Sequence, residues 1–103
     1  MALELRPTCE HCNKALPPAT TEARICSFEC TFCSRCVETV LDNVCPNCGG
    51  GFVPRPVRTA RNWRGGNWIG ACPPSTTVKH RPVAAAAHAR FSEALRKIAP
   101  EDR

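Results

Sequence analysis

With 103 residues, nine cysteines, ten prolines and a formal net charge of +5, the chain is one small domain or a small domain with a tail, because domains usually run to about 100 to 150 residues. The apolar side chains ahead of residue 54 are too few for a self-sufficient core, and no run approaches the roughly 18 apolar residues of a membrane span. The charge is uneven: Met1 to Phe52 carries four Lys/Arg against six Asp/Glu, and Val53 to Arg103 carries ten against three, so the basic character belongs to the second half.

The opening MALELRPTCE has charges at Glu4 and Arg6 and no apolar h-region, so it reads as the start of a cytoplasmic chain rather than a secretory signal. Ala2 to Arg6 alternates as a short strand would, with Leu3 and Leu5 on one face. Cys9 and Cys12 follow as a Cys-x2-Cys knuckle, with His11 expected as an exposed loop residue. Asn13 to Thr21, holding Pro17 and Pro18, reads as a surface loop. Glu22 to Phe28 reads as a strand or hairpin arm delivering Cys26.

Ser34 to Asn43 has the pattern of a short helix. Val37, Val40, Leu41 and Val44 fall at i, i+3, i+4 and i+7, with Ser34 as N-cap and Asn43 as the stop. Cys45-Pro46-Asn47-Cys48 and three glycines close the cysteine-rich stretch. Residues 54–81 read as a basic linker. Its arginines at Arg55, Arg58, Arg61 and Arg64 recur every third residue, its prolines interrupt helix, and Trp63 and Trp68 flank Gly65-Gly66. From residue 82 to 99 the chain reads as an amphipathic helix with Ala84, His88, Phe91, Leu95 and Ile98 on one stripe, ended by Pro100.

Eight of the nine cysteines form four pairs: Cys9/Cys12, Cys26/Cys30, Cys33/Cys36 and Cys45/Cys48. In a reducing compartment such pairs are metal ligands rather than disulfides, and thiolates are the soft donors that zinc prefers. Eight ligands fill two tetrahedral sites, so the cofactor expected is two zinc ions, and Cys72 is left as a free thiol. Two pairings compete. In a cross-brace, Cys9, Cys12, Cys33 and Cys36 hold one ion while Cys26, Cys30, Cys45 and Cys48 hold the other. A sequential scheme joins Cys9/Cys12 to Cys26/Cys30 and Cys33/Cys36 to Cys45/Cys48. The sequential scheme leaves only eight residues between the knuckles of its second site, which must also hold the helix, so the cross-brace is preferred.

The order of spacings, the Phe32-Cys33-x2-Cys36 step, the helix after it and the closing Cys45-Pro46-x-Cys48 resemble a RING-type zinc domain with Cys30 where that family usually has His. The chain is more closely similar to a family of short bacterial proteins catalogued as domain of unknown function 1272. The matching stretches are LELRP (Leu3 to Pro7), the first knuckle, LPP (Leu16 to Pro18), EARICSFECTFC (Glu22 to Cys33) and CPNCGG (Cys45 to Gly50), with weaker echoes at PPST (Pro73 to Thr76), RPV (Arg81 to Val83) and APEDR (Ala99 to Arg103). The resemblance implies a zinc-binding fold and, by the family's label, no established activity. Active RING ligases usually offer a bulky apolar residue in the first knuckle, an aromatic before the closing knuckle and a basic residue after it. This chain has Glu10-His11, no aromatic between Cys36 and Cys45, and Gly49.

These readings converge on a small metal-stabilised α+β protein. A RING-like cross-brace domain over residues 1–53 carries two four-cysteine sites, followed by the basic linker and the C-terminal helix. Closed four-cysteine sites leave no open coordination position, so the expected role is a non-enzymatic protein-interaction module with structural zinc. The alternative is a nucleic-acid-binding module using Arg55, Arg58, Arg61, Trp63, Arg64 and Trp68. A ligase-like enzyme ranks last, and no membrane partner is expected.

Overall fold

The computed structural model describes residues 2–103; Met1, the first residue of the expected zinc domain, lies outside them. Two short antiparallel strands, β1 (Ala23–Ile25) and β2 (Thr31–Cys33), form a hairpin in which Ala23 faces Cys33 and Ile25 faces Thr31. A third strand, β3 (Val53–Pro54), pairs antiparallel with the other side of β1, giving the sheet order β2-β1-β3. The expected linker, whose prolines interrupt helix, thus begins inside a strand at Pro54. An edge strand tolerates Pro, since one of its sides needs no ladder donor.

Directly after β2, α1 (Ser34–Cys36) runs into a single π turn, Val37–Leu41. The expected apolar stripe is the buried one: Val37, Leu41 and Val44 are buried and Val40 packs partly against the core. The ends differ from expectation. Cys33, not Ser34, occupies the N-cap position and makes no side-chain cap. The turn stops because Asp42 and then Asn43 take left-handed backbone with φ of 49° and 57°, a conformation that Asn and Asp tolerate better than most residues.

The central core is Cys9, Leu16, Ala23, Cys26, Cys30, Phe32, Cys33, Cys36, Val37, Leu41 and Cys45. Six of these eleven are cysteines, so the core and the thiol groups are one object. Phe52 meets Phe32 edge-on, with ring centroids 5.5 Å apart.

Ala2 to Arg6 does not pair as a strand. Its main-chain groups are met by other partners: Glu4 N–H donates to Glu29 Oε1 at 2.8 Å, and the Leu5 carbonyl accepts from Ser75 N–H at 3.0 Å. The helix expected over 82–99 occupies Ala85–Leu95, and a 3-10 turn follows at Pro100–Asp102. This helix, α2, packs on the π turn through a face rotated from the expected stripe. His88 and Ser92 are buried, while Phe91 is 47% and Ile98 39% exposed. His88 Nε2 donates to the Leu41 carbonyl at 3.0 Å, a second donor to a helix-end acceptor that also receives Val44 N–H at 2.9 Å.

Arg55 ties the two halves together. It is only 4% exposed, and its guanidinium donates to the carbonyls of Arg6 at 2.9 Å, Leu16 at 3.2 Å and Pro17 at 3.3 Å. Burial, and then the nearby charge of Arg58, lowers its pKa. With no carboxylate beside it, the buried cation depends on those carbonyls, and they depend on it. Arg55→Met should therefore lower the unfolding free energy of the metal-loaded protein by about 2 to 4 kcal/mol, with Arg55→Lys recovering little of it. Denaturant unfolding measures this; a change below about 0.5 kcal/mol would mean that water replaces the guanidinium at no cost.

Candidate metal centre

The first and last cysteine pairs each sit on a tight turn built by main-chain hydrogen bonds. The first knuckle is a narrow loop closed by the Thr8–Ala15 bridge, in which Cys9 N–H donates to Lys14 O at 2.9 Å and Asn13 N–H returns to Cys9 O at 3.0 Å. The last knuckle repeats the pattern, with Cys45 N–H donating to Gly50 O and Gly49 N–H to Cys45 O, both at 2.8 Å. Gly49 has φ of +78°, and a Cβ there would also press on Leu95 Cδ1 at 3.3 Å, so both backbone and packing require glycine. Between these loops, Cys26 ends the first arm of the hairpin, Cys33 ends β2, and Cys36 lies in α1.

The fold gathers Cys9, Cys12, Cys33 and Cys36 so that all four sulfurs lie within 4.8 Å of one another. Cys12 Sγ and Cys33 Sγ are 3.8 Å apart. That separation is the edge of a tetrahedron whose four sulfurs surround an ion at about 2.3 Å, and it is far longer than the ~2.05 Å of a disulfide. All nine cysteines are free. A second group holds Cys26, Cys45 and Cys48 within the same 4.8 Å limit. Cys30 stands beside Cys26 and Cys45 but outside that mutual limit, and its sulfur accepts from Asn47 Nδ2 at 3.4 Å. Both groups could hold a metal ion, the first with four thiols and the second with three and a neighbouring fourth.

Amide N–H groups point at the sulfurs, as a thiolate cluster requires. Phe28 N–H lies 3.3 Å from Cys26 Sγ and Gly50 N–H lies 3.4 Å from Cys48 Sγ. Four thiolates around a dication leave a surplus negative charge that such donors offset. Without an ion the same crowding opposes ionisation. Burial pushes the Cys9, Cys30, Cys36 and Cys45 thiols up, and neighbouring cysteines add to the effect at Cys30, Cys36 and Cys45. Cys12 goes the other way: burial raises it, but Lys14 N–H and the thiols of Cys9, Cys36 and Cys33 outweigh that.

Two residues of the first knuckle have roles that sequence reasoning missed. Glu10 is buried, and its carboxylate accepts from Thr31 N–H at 2.6 Å and from Arg6 at 2.8 Å, while its own N–H donates to Thr31 O at 3.0 Å. It thereby continues the ladder beyond the free edge of β2 and fixes Cys9 beside Cys33. His11 is not a free loop residue. Its Nδ1 accepts from Val83 N–H at 2.8 Å and its carbonyl meets His80 Nε2 at 3.1 Å, docking the tail across the knuckle. No spacing rule reveals either contact, because Thr31 lies 21 residues from Glu10 and Val83 lies 72 from His11.

The arginine and tryptophan residues expected for nucleic acid are not presented alike. Arg55 is buried on carbonyls, and Arg58 donates to Cys72 O at 2.6 Å and to Leu3 O, so neither presents a free guanidinium. Arg61 and Arg64 are exposed, Trp63 is 70% exposed, and Trp68 is half-buried.

The profile of a family described as protein of unknown function (DUF1272) matches residues 2–58. The chain belongs to that family. The matched segment of this DUF1272 chain holds both thiol groups, β1 to β3 and Arg55, and it stops short of Trp63 and α2. An uncharacterised protein of Rhizobium meliloti (strain 1021) is 60% identical over 58 residues, which is 56% of this chain and 69% of that relative. No solved structure matches the chain.

Protons and metal compete for the raised thiols, so the sign of the pH dependence is fixed. Apparent metal affinity should rise between about pH 6 and pH 8, by up to roughly tenfold per unit for each proton displaced. Competition against a chromophoric chelator, together with measured proton release, tests this; an affinity independent of pH would mean that thiolates are not the ligands.

Proposed function

We propose that this DUF1272 chain is a small structural-zinc module that presents a rigid surface to a protein partner and performs no catalysis at its metals. The observation that carries the reading is the interleaved four-thiol group, with a 3.8 Å sulfur–sulfur edge between Cys12 and Cys33. All-sulfur tetrahedral coordination favours zinc over harder cations, and four protein ligands leave it no position for water or substrate. The grouping of the first knuckle with Cys33 and Cys36, rather than with Cys26 and Cys30, supports the cross-brace. Cys26, Cys30, Cys45 and Cys48 then take the second ion, Cys30 moving within reach of Cys48. No long-range chemistry is asked of these residues; they hold the loops that form the surface.

A specific feature supports a protein partner. Phe28, in the hairpin turn, and Val53, opposite the last residue of β1, lie at the same end of the sheet and are 71% and 59% exposed. Exposed large apolar side chains at one end of a sheet are of the kind that protein interfaces bury.

Native mass spectrometry should find two zinc ions per chain, and X-ray absorption should find sulfur neighbours at about 2.3 Å. Replacing Cys9 and Cys12 by Ser should release one ion and expose Cys33 and Cys36 to alkylation while Cys45 and Cys48 stay protected. Reactive Cys26 and Cys30 with protected Cys33 and Cys36 would establish the sequential pairing instead. For the partner surface, Phe28→Ala with Val53→Ala should abolish capture of nuclease-resistant protein from a native lysate at unchanged zinc content. Capture undiminished by both changes would move the interface elsewhere.

A further inference from the structure

Residues 59–72 form a loop with its own internal scaffold. Ile69 N–H donates to Thr59 O at 2.9 Å, Thr59 Oγ1 donates to Asn67 O at 3.1 Å, and Gly66 N–H donates to Asn62 Oδ1 at 2.7 Å. Asn67 closes on the Arg64 carbonyl through both its main-chain N–H at 3.2 Å and its side chain at 3.0 Å. Arg58 clamps the base of the loop to Cys72 O and Leu3 O, joining it to the body. The two tryptophans are used differently. Trp68 folds its ring onto Gly70, where an added Cβ would collide with it, so it belongs to the scaffold. Trp63 is displayed, at 70% exposure.

The surface around Trp63 is cationic and unneutralised. Arg61 and Arg64 are exposed, and neither guanidinium has an acceptor or carboxylate partner among the described residues. No Asp or Glu occurs anywhere from residue 53 to 92. At Gly65 and Gly66, beside the ring, an added Cβ would meet nothing within 4 Å, so the tip projects into open space.

We propose that this loop is a binding site for single-stranded nucleic acid, in which Trp63 stacks on an unpaired base and Arg61 and Arg64 hold the flanking phosphates. Base–aromatic stacking with cationic flanks is the recognition chemistry of sequence-tolerant single-strand binders. A projecting ring needs a base whose face is free, which a duplex does not offer in its interior. A lipid surface fits less well, because one ring with polar neighbours at Asn62 and Asn67 buries too little apolar area for stable insertion. Arg55 and Arg58 take no part beyond positioning, since their guanidinium groups are occupied by carbonyls. The inference stands apart from the metal-site reading, and zinc content is measured in the same samples so that the two fail separately.

The test uses the zinc-loaded full chain with labelled oligothymidylate and oligouridylate at low salt. Binding should quench tryptophan fluorescence and weaken as salt rises. Arg61→Ala and Arg64→Ala should each flatten the salt dependence by about 0.7 in log–log slope. Trp63→Ala should weaken binding roughly tenfold or more, with Trp63→Phe retaining most of the affinity because the ring is kept. Absence of binding at low salt overturns the proposal, as does equal affinity of wild type and both Trp63 variants, which would leave only diffuse charge. Stronger binding to duplex, or Trp63-dependent binding to phosphatidylserine vesicles without oligonucleotide binding, also overturns it.

Discussion

The gathering of Cys9 and Cys12 against Cys33 and Cys36 is the constraint from which the rest of the architecture follows. More than half of the central core residues are cysteine, and the remaining apolar side chains are too few to hold three strands of two or three residues and two helices together. Buried thiols without a cation stay protonated and contribute only as small apolar groups. A dication on the same atoms would replace proton-bearing sulfurs with charge-assisted bonds and make metal uptake part of the folding free energy. The narrow knuckles and the glycine after Cys48 hold the backbone turns that bring the sulfurs of each group within 4.8 Å of one another.

With so little regular secondary structure, most main-chain carbonyls lack ladder partners. Long side chains from the second half meet several of them. Arg55 reaches Arg6, Leu16 and Pro17; Arg103 reaches Asn43 at 2.8 Å and Gly49 at 3.2 Å. His88 does the same for Leu41. A fork of fixed donors suits this work, because one guanidinium satisfies several divergent loop carbonyls that no strand could approach together. The basic excess of residues 53–103 is thus partly structural, and only what remains after these bonds is open to a partner.

The division within the arginine series shows why a periodic charge run cannot be assigned from sequence. Arg55, Arg58, Arg61 and Arg64 are chemically identical and evenly spaced, yet the first two turn inward and the last two outward. The difference lies in distance from β3: Arg55 follows the strand directly, with its N–H bonded to Ala23 O at 2.9 Å, and so shares the orientation of the sheet. By Arg61 the chain has left the body and entered its own loop.

The sequence alone marked the paired cysteines, because Cys-x2-Cys spacing is a local property that a turn translates directly into two converging thiols. It also carried the apolar stripe of Val37, Val40, Leu41 and Val44, and the family to which the chain belongs. Only the tertiary structure decided which knuckle faces which, that Glu10 extends β2 and His11 docks the tail, that α2 buries His88 and Ser92 rather than Phe91, and that Trp63 is displayed while Trp68 is packed. Each of these depends on residues far apart in the chain meeting at a single hydrogen bond or contact, and such meetings leave no period, spacing or composition bias to be read in advance.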